Sequence, residues 1–281
     1  MNRRLWRRVR SGMMVGLVGV AVVVALLPLG LILAHLLVKG AGSLDWAFFT
    51  RGPAPTGVEG GGVAHAIVGT LIIVGVASLI GLPVGIAAGI YCAEYPGTRL
   101  ATATRFVADV MNGTPSIVVG VVAWTWIVAP QKHFSAFAGS VALAFLMIPM
   151  VLRTTEEMIK LVPHSLREAA LALGYPRWRT SLAVVVRTTL PGIVTGSLLA
   201  VARIAGETAP LLFTALGSQF LSTRMDQPMA ALPLVVYAYA IGPFEEWHRL
   251  AWATALVLIL VVLVLSLAAR VATRGRFTLR G

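Results

Sequence analysis

The sequence has little charge and a single cysteine. Only 12% of its 281 residues are charged, where soluble domains carry roughly 25%, and its mean hydropathy is +0.86. Because Cys92 stands alone, an intramolecular disulfide is excluded and a paired-thiol metal site has no support. The chain also lacks the G-x-x-x-x-G-K-[ST] loop with which ATP-hydrolysing subunits cradle phosphates. These absences predict an integral membrane protein that is not itself an enzyme, with no catalytic or metal-binding residues.

The positive charge of the chain follows its apolar segments. The formal net charge is +12, a value that would suit a nucleic-acid partner if the arginines formed one patch. They lie instead between apolar segments, as they do when they determine membrane topology. The sequence therefore predicts contact with membrane lipid and no nucleic-acid binding.

Six segments are long enough to cross a hydrocarbon layer, which takes about 20 helical residues. They are predicted near Met13–Val38, Val63–Cys92, Phe106–Ala129, Ala136–Met158, Val185–Phe213 and Leu250–Val271. The first follows an arginine-rich start but is too long for a secretory signal, so it is expected to remain as a helix. The predicted organisation is a tail, first helix and outer loop (1–62), a five-helix core (63–272) and a tail (273–281).

Lysine and arginine also predict the orientation. With the N-terminus inside, 17 of the 23 lie on the cytoplasmic side and 5 outside, and Arg203 lies within the membrane. The positive-inside rule therefore predicts that both termini and the polar segment at about 160–184 are cytoplasmic.

That polar segment predicts a compact helix-turn-helix. Ser165 and Glu168 have capping-box spacing, which predicts a helix beginning near Leu166, and Gly174 suits a left-handed C′ position. Pro176 suits the first turn of the next helix. Small and aliphatic residues then share one helix face: Leu166, Ala169, Ala170 and Leu173. This face is either a docking surface or part of a plain connector in which Glu168 only caps the helix.

Glycine and proline predict how two of the spans are shaped. Asn112, Gly113 and Pro115 at the third span predict either a bent turn that lines a cavity or a kink sealed by packing. The second span carries glycines that predict a face for close helix packing: Gly69, Gly75, Gly81, Gly85 and Gly89. Ala230–Ile241 is apolar but too short to span, which predicts a re-entrant segment or one packed at the outer mouth.

The fifth span contains the strongest candidate site. Arg203 is predicted close to mid-bilayer, where a charge costs about 2.5–3.5 kcal/mol and should face protein or water. Glu207 follows at i+4 and can pair with it, either for folding alone or to handle an oxyanion that the planar guanidinium matches. Arg153, near the cytoplasmic end of the fourth span, is a second candidate or a snorkelling interfacial residue.

Five runs carry a resemblance to a known family. Glu168-Ala169-Ala170, Gly174 and Pro191 resemble the cytoplasmic EAA loop of ABC-importer permeases. The other four runs are Gly85–Tyr95, Gly113–Gly120, Pro149–Glu156 and Ala202–Leu216. Together with these, the region from about 62 to 272 is similar to the permease subunits of phosphate-specific ABC importers, in the type I transmembrane-domain family.

The resemblance implies an all-α polytopic fold of six transmembrane helices with a cytoplasmic EAA coupling loop, in the bacterial cytoplasmic membrane. It implies a homologous second permease, two ATPase subunits that hold ATP and Mg, and a phosphate-binding receptor outside, with no cofactor in this chain. The predicted substrate-path residues are Arg203, Glu207, Arg153 and Thr208, of which the resemblance implies the two arginines. The ATPase-coupling residues are Glu168, Ala169, Ala170 and Gly174.

Two other functions stay open from the residues alone. One is a permease subunit for another oxyanion, since the EAA loop serves many substrates. The other is a self-contained carrier in which Arg203 takes the anion and Glu207 the proton. A purely structural scaffold would leave a buried Arg203 unexplained, and the cytoplasmic loop favours a permease driven by ATPase subunits.

Overall fold

A computed structural model describes residues 3–55, 58 and 60–274. Within these residues the protein is helical and has no strand beyond one isolated antiparallel bridge between Pro53 and Gly61. The helices are α1 Arg3–Gly40, α2 Trp46–Thr50, α3 Ala64–Glu94, α4 Arg99–Gly113, α5 Ser116–Gln131, α6 Ala136–Lys160, α7 His164–Ala172, α8 Arg177–Ala205, α9 Ala209–Thr214, α10 Leu232–Ala240 and α11 Glu245–Arg274.

Five helices are long and apolar enough to cross a membrane, and the bent pair α4–α5 forms a possible sixth span. This confirms the all-α, multi-span prediction. Most of the predicted tail 273–281, including Arg276 and Arg280, lies outside the described residues.

Helix α1 stands apart from the other helices along most of its length. Its residues from 10 to 32 are exposed in the isolated chain although most are apolar. It meets α11 only near its C-terminal end, where the His35 ring packs edge-on against Trp252 at 5.0 Å. Gly40 permits this approach, because a Cβ there would lie 2.8 Å from the Trp252 carbonyl oxygen. A helix that is apolar all round belongs in lipid or against another membrane protein.

Helices α3 and α6 form the centre of the protein through the predicted glycine face. A Cβ at Gly81 would lie 3.0 Å from Met147 Sδ, and one at Gly85 would lie 2.8 Å from Val151 Cβ. Gly89 is also crowded by α6, with a Cβ 2.6 Å from the Leu152 carbonyl oxygen, whereas Gly69 packs against the Ala230 carbonyl oxygen and Gly75 has no neighbouring atom within 4 Å. The prediction was therefore wrong for Gly75, which points out of the bundle.

The predicted third span is divided by a sharp bend. Helices α4 and α5 meet at 105°, with Thr114 and Pro115 extended between them. The bend confirms the break predicted at Asn112–Pro115 inside the third span, which runs as two helices over a longer range than the expected Phe106–Ala129. Met111 and Thr114 border an apolar groove next to the bend, so the bend is not sealed by packing within this chain.

The predicted fifth span lies eight residues too late in the chain. Helix α8 begins at Arg177 and ends at Ala205, and a separate helix, α9, begins at Ala209. Pro210 lies in the first turn of α9, where its missing N–H is not needed for a helical bond, which favours a new helix starting at this point. Hydropathy misses the break because both helices are apolar.

The apolar stretch Ala230–Ile241 forms α10, which packs beside α3 and α11 at the end of the bundle opposite α7. The Leu232 backbone N–H donates to the Thr70 hydroxyl at 2.8 Å, which joins α10 to α3. This is the packed arrangement that its short length predicted.

Candidate functional site

Helix α7 has a defined cap only at its C-terminal end. The helix begins at His164 behind Pro163, and no side chain caps its first turn. The capping box of Ser165 and Glu168 was therefore wrong, because the helix begins two residues before the expected start and places both residues inside it. At the other end Gly174 has φ +83 and its N–H donates to the Leu171 carbonyl at 2.9 Å. The left-handed C′ position predicted for Gly174 is confirmed.

Most of α7 faces away from the protein. Ala170 is its one residue classed as buried, at 7% exposure. Glu168 and Ala169 are exposed, and Leu173 just beyond the helix is 79% exposed. The predicted common face is therefore divided, with Ala170 turned inward. The outer surface of α7 presents small and aliphatic side chains that no other part of the described chain covers.

Helices α6 and α8 run antiparallel in close contact, which sets the level of Arg203. A Cβ at Gly196 would lie 2.1 Å from Thr154 Cγ2, and one at Gly192 would lie 2.5 Å from Met158 Sδ. The same register brings Arg203 beside the middle of α6. The contact between Arg203 Nη1 and Met150 Sδ, at 3.4 Å, agrees with that level.

Arg203 is weakly held and faces outward. Its side chain is 62% exposed in the isolated chain, and its Nε lies 4.0 Å from Glu207 Oε1. Glu207 itself is 20% exposed. Arg203 and Glu207 were expected to pair along one regular helix. They do not, because α8 ends at Ala205 and Glu207 lies in the break before α9. The pair is therefore an ion pair at long distance, without the short hydrogen bonds of a closed salt bridge.

Thr208 occupies the N-cap position of α9, directly after Glu207. Its side chain is partly buried and makes no capping hydrogen bond to the helix. Arg203, Glu207 and Thr208 thus lie together around the break between α8 and α9. Their grouping is a cation, a carboxylate and a hydroxyl within one short segment.

Arg153 has a different environment, in an ion network between α4 and α6. Its Nε donates to Asp109 Oδ1 at 3.0 Å, a second guanidinium nitrogen donates to Oδ2, and Nη1 donates to Glu156 Oε2 at 3.2 Å. Glu156 is fully buried and also receives Arg105 at 2.6 Å and Lys160 at 2.9 Å. A buried carboxylate needs a positively charged partner, and here three cations surround the Glu156 carboxylate. The network holds α4 on α6 just before the 105° bend.

Sequence reasoning did not find this network. Asp109 and Arg153 are 44 residues apart, and Arg105 and Glu156 are 51 apart. No local spacing rule joins residues at such separations. The available signal was the acidic pair Glu156-Glu157 inside the end of an apolar span, which required a cationic partner.

Comparison with known proteins identifies related sequences. The family model described as "Binding-protein-dependent transport system inner membrane component" matches residues 85–276. The phosphate transport system permease protein PstA of Yersinia pestis is 47% identical over 271 residues, covering 96% of this chain and 92% of that protein. PstA of Haemophilus influenzae is 47% identical and covers 95% of each chain. PstA 1 of Mycobacterium tuberculosis (strain H37Rv) is 39% identical, covering 97% of this chain and 91% of that one.

Solved structures show a similar fold. An inward-facing MetNI methionine ABC transporter chain superposes with a TM-score of 0.63 at 18% identity, covering 76% of this chain and 95% of its own. A chain of a bacterial alginate ABC transporter superposes with a TM-score of 0.62 at 16% identity, covering 97% and 98%. At such identities the likeness concerns the fold alone.

Proposed function

The chain belongs to the family of binding-protein-dependent transport system inner membrane components, and from this premise we propose how it works. It is a membrane-embedded permease subunit of an ATP-driven phosphate importer, a transport component and not a catalytic enzyme. Its family implies separate ATPase and substrate-binding proteins as partners. Finer points, namely a homologous second permease, two ATPase subunits holding ATP and Mg, and an external phosphate receptor, are parts of the proposal.

The proposed orientation puts α7 and both termini in the cytoplasm. It is supported by the 17 of 23 lysine and arginine residues that this topology leaves on the cytoplasmic side. In this orientation Glu168, Ala169, Ala170 and Gly174 form the surface that couples to the ATPase. The exposed outer face of α7 supports that role, because leucine side chains exposed to water are typical of a surface that binds another protein.

The proposed substrate path passes Arg203. The observation that carries this proposal is a guanidinium level with the middle of α6 that is 62% exposed and held by one carboxylate at 4.0 Å. A charge at that depth needs a partner outside this chain, and an oxyanion matches its planar donors. Glu207 then recaptures the guanidinium as the anion leaves, and Thr208 follows it at the start of α9. Arg153 lines the cytoplasmic half of the path, with Asp109 and Glu156 holding its guanidinium.

The test is phosphate uptake by the whole complex in proteoliposomes. Arg203→Gln removes the charge but keeps polarity and similar size, and charge-assisted hydrogen bonds of about 1.5–3 kcal/mol are lost, so uptake should fall about 10- to 100-fold. Arg203→Lys keeps the charge without the planar fork and should retain more activity. Arg187→Gln is the matched control, because Arg187 is an exposed arginine on the same helix. Normal uptake by the Arg203→Gln complex would leave Arg203 as a folding residue.

A second arm separates the permease from a self-contained carrier. The purified chain alone is placed in liposomes with a proton gradient and labelled phosphate. No uptake is expected, since the chain has no ATP-binding loop and depends on its partners. Uptake by the chain alone would overturn its role as an ATP-driven subunit.

A further inference from the structure

The carboxylate of Glu94 joins three helices near the exposed helix α7. Glu94 is the last residue of α3, and its side chain is 14% exposed. One oxygen, Oε1, accepts a hydrogen bond from Arg167 Nη1 on α7. The other, Oε2, accepts from the Ser181 hydroxyl at 2.5 Å, in the first turns of α8. Each oxygen therefore serves a different helix.

Arg167 extends this junction to a fourth helix. Its Nη2 donates to the carbonyl oxygen of Ile159, in the last turn of α6, at 3.3 Å. Apolar packing contributes little to the position of α7, since Ala170 is the one buried residue of that helix. The polar contacts of Arg167 and Glu94 therefore hold α7 on the ends of the spanning helices.

We propose that Glu94 is a positioning residue for transport, which transmits movement of α7 to α3 and α8 together. This inference rests on the proposed function, in which α7 docks on the ATPase. A force on α7 passes through Arg167 to Glu94 and then to both helices, because two charge-assisted bonds share one rigid carboxylate. Glu94, Arg167 and Ser181 form what we call the α3–α7–α8 clamp.

The chemistry of the clamp requires glutamate at position 94. Glutamine keeps one acceptor oxygen for Arg167 and offers an NH₂ donor to Ser181, whose hydroxyl must turn to accept it, and glutamine removes the charge that strengthens both bonds. Aspartate keeps both oxygens and the charge but is one methylene shorter, so it reaches one partner well and the other poorly. Both variants therefore weaken the clamp, glutamine through charge and aspartate through reach.

The experiment measures phosphate imported per ATP hydrolysed by the whole complex in proteoliposomes. For Glu94→Gln we expect this ratio to fall about tenfold, because a charge-assisted hydrogen bond contributes about 1.5 kcal/mol. ATP hydrolysis should stay within about twofold of wild type. Glu94→Asp should be intermediate. Glu157→Gln is the control, because Glu157 is a glutamate with 60% exposure, on the end of α6, and it should behave as wild type. An unchanged ratio for Glu94→Gln would overturn the proposal.

This ratio separates transmission from folding. A residue that only stabilises the fold would lower the amount of assembled complex and both activities together, and the ratio would stay constant. That result counts against the clamp as a transmitting element, whatever the loss of total activity.

A distance measurement decides the clamp even if the proposed substrate is wrong. Spin labels are attached to cysteines replacing Leu79 on α3 and Leu182 on α8, which are 76% and 54% exposed, whereas the native Cys92 is buried. In the otherwise wild-type complex the distance should hold constant through ATP binding, and Glu94→Gln should broaden or shift it. A wild-type complex that imports no phosphate would overturn the proposed function, and the label distances would then judge the clamp alone. Constant distances in the Gln variant would overturn the clamp.

Discussion

Gly89 is where one added methyl group tests most directly the packing of α3 on α6. A Cβ at this position would lie 2.6 Å from the Leu152 carbonyl oxygen and 2.7 Å from Thr155 Cβ. The carbonyl belongs to helical backbone and cannot rotate away, and ordinary contact begins at 3.4 Å. Gly89→Ala therefore forces α3 and α6 apart along their shared face.

The cost of that separation follows from two opposing effects. Overpacking a close interface costs about 1–3 kcal/mol, and alanine returns up to about 1 kcal/mol through helix propensity. We expect a net loss of about 1–2 kcal/mol, which lowers the midpoint of thermal unfolding by about 2–8 °C in a chain of this size. Gly75→Ala is the matched control on the same helix. It has no atom within 4 Å of the added carbon and should unfold at or slightly above the wild-type temperature.

The single cysteine supplies the assay. Cys92 lies three residues after Gly89 and is fully buried, so a thiol-reactive fluorogenic dye reports its exposure as the detergent-solubilised protein is heated. The Gly89→Ala curve should move to lower temperature and the Gly75→Ala curve should not. If the two variants unfolded at the same temperature, the close approach of α3 and α6 would not be the reason for glycine at position 89.

Two further predictions concern the ion network and the turn after α7. Glu156→Gln leaves three cations around a neutral side chain and should lower the free energy of unfolding by about 3 kcal/mol. The same dye assay measures this loss, with the exposed Glu157→Gln as control. An unchanged unfolding midpoint for Glu156→Gln would contradict the network. Gly174 has a left-handed backbone at φ +83, which costs a leucine roughly 1–2 kcal/mol. Gly174→Leu should therefore reduce ATP-driven phosphate uptake by the complex by about 5- to 30-fold. Gly174→Asn, which tolerates that conformation, should retain most uptake, and wild-type uptake by both variants would refute the role of the turn.

The features that could be predicted from the sequence are those with a local physical cause. Hydropathy alone located most of the spanning helices, and Asn112, Gly113 and Pro115 predicted the bend because they destabilise a helix wherever it folds. Gly174 predicted its own left-handed backbone for the same reason. The break after Ala205 was missed because α8 and α9 are both apolar and Pro210 is acceptable at the start of a helix.

The missed contacts join residues that are distant in the chain. Arg105 on α4 donates to Glu156 on α6, 51 residues away, and Arg153 on α6 donates to Asp109 on α4, 44 residues away. The partners of Glu94 are 73 and 87 residues away. Such pairings depend on how the helices pack, and a single sequence gives no distance between helices. Composition predicts that a buried carboxylate needs a cation, but it does not predict which one.

The packing of α8 changes how movement reaches Arg203. Ser181 and Arg203 are separated by about 33 Å of helix, and Pro191 removes one hydrogen bond from the helix between them. A single rod with such a defect would bend under load, but Gly192 and Gly196 bring α8 into close contact with α6 across this region. Close-packed helices resist relative sliding, so the proposed movement of α8 would be shared with α6.

This arrangement places the two arginines of the proposed substrate path in one packed unit. Arg153 is on α6 and Arg203 is on α8, so on that proposed path an anion would meet both cations at a set spacing. The chain breaks lie elsewhere, at the 105° bend before α5 and at the break before α9. Helices α5 and α9 are packed on each other, with a Cβ at Gly120 lying 2.7 Å from Pro210 Cα. Helix α9 also packs on α6, with a Cβ at Gly139 lying 3.0 Å from Leu211 Cδ2, so α9 is held by both α5 and α6 next to the break that carries Glu207.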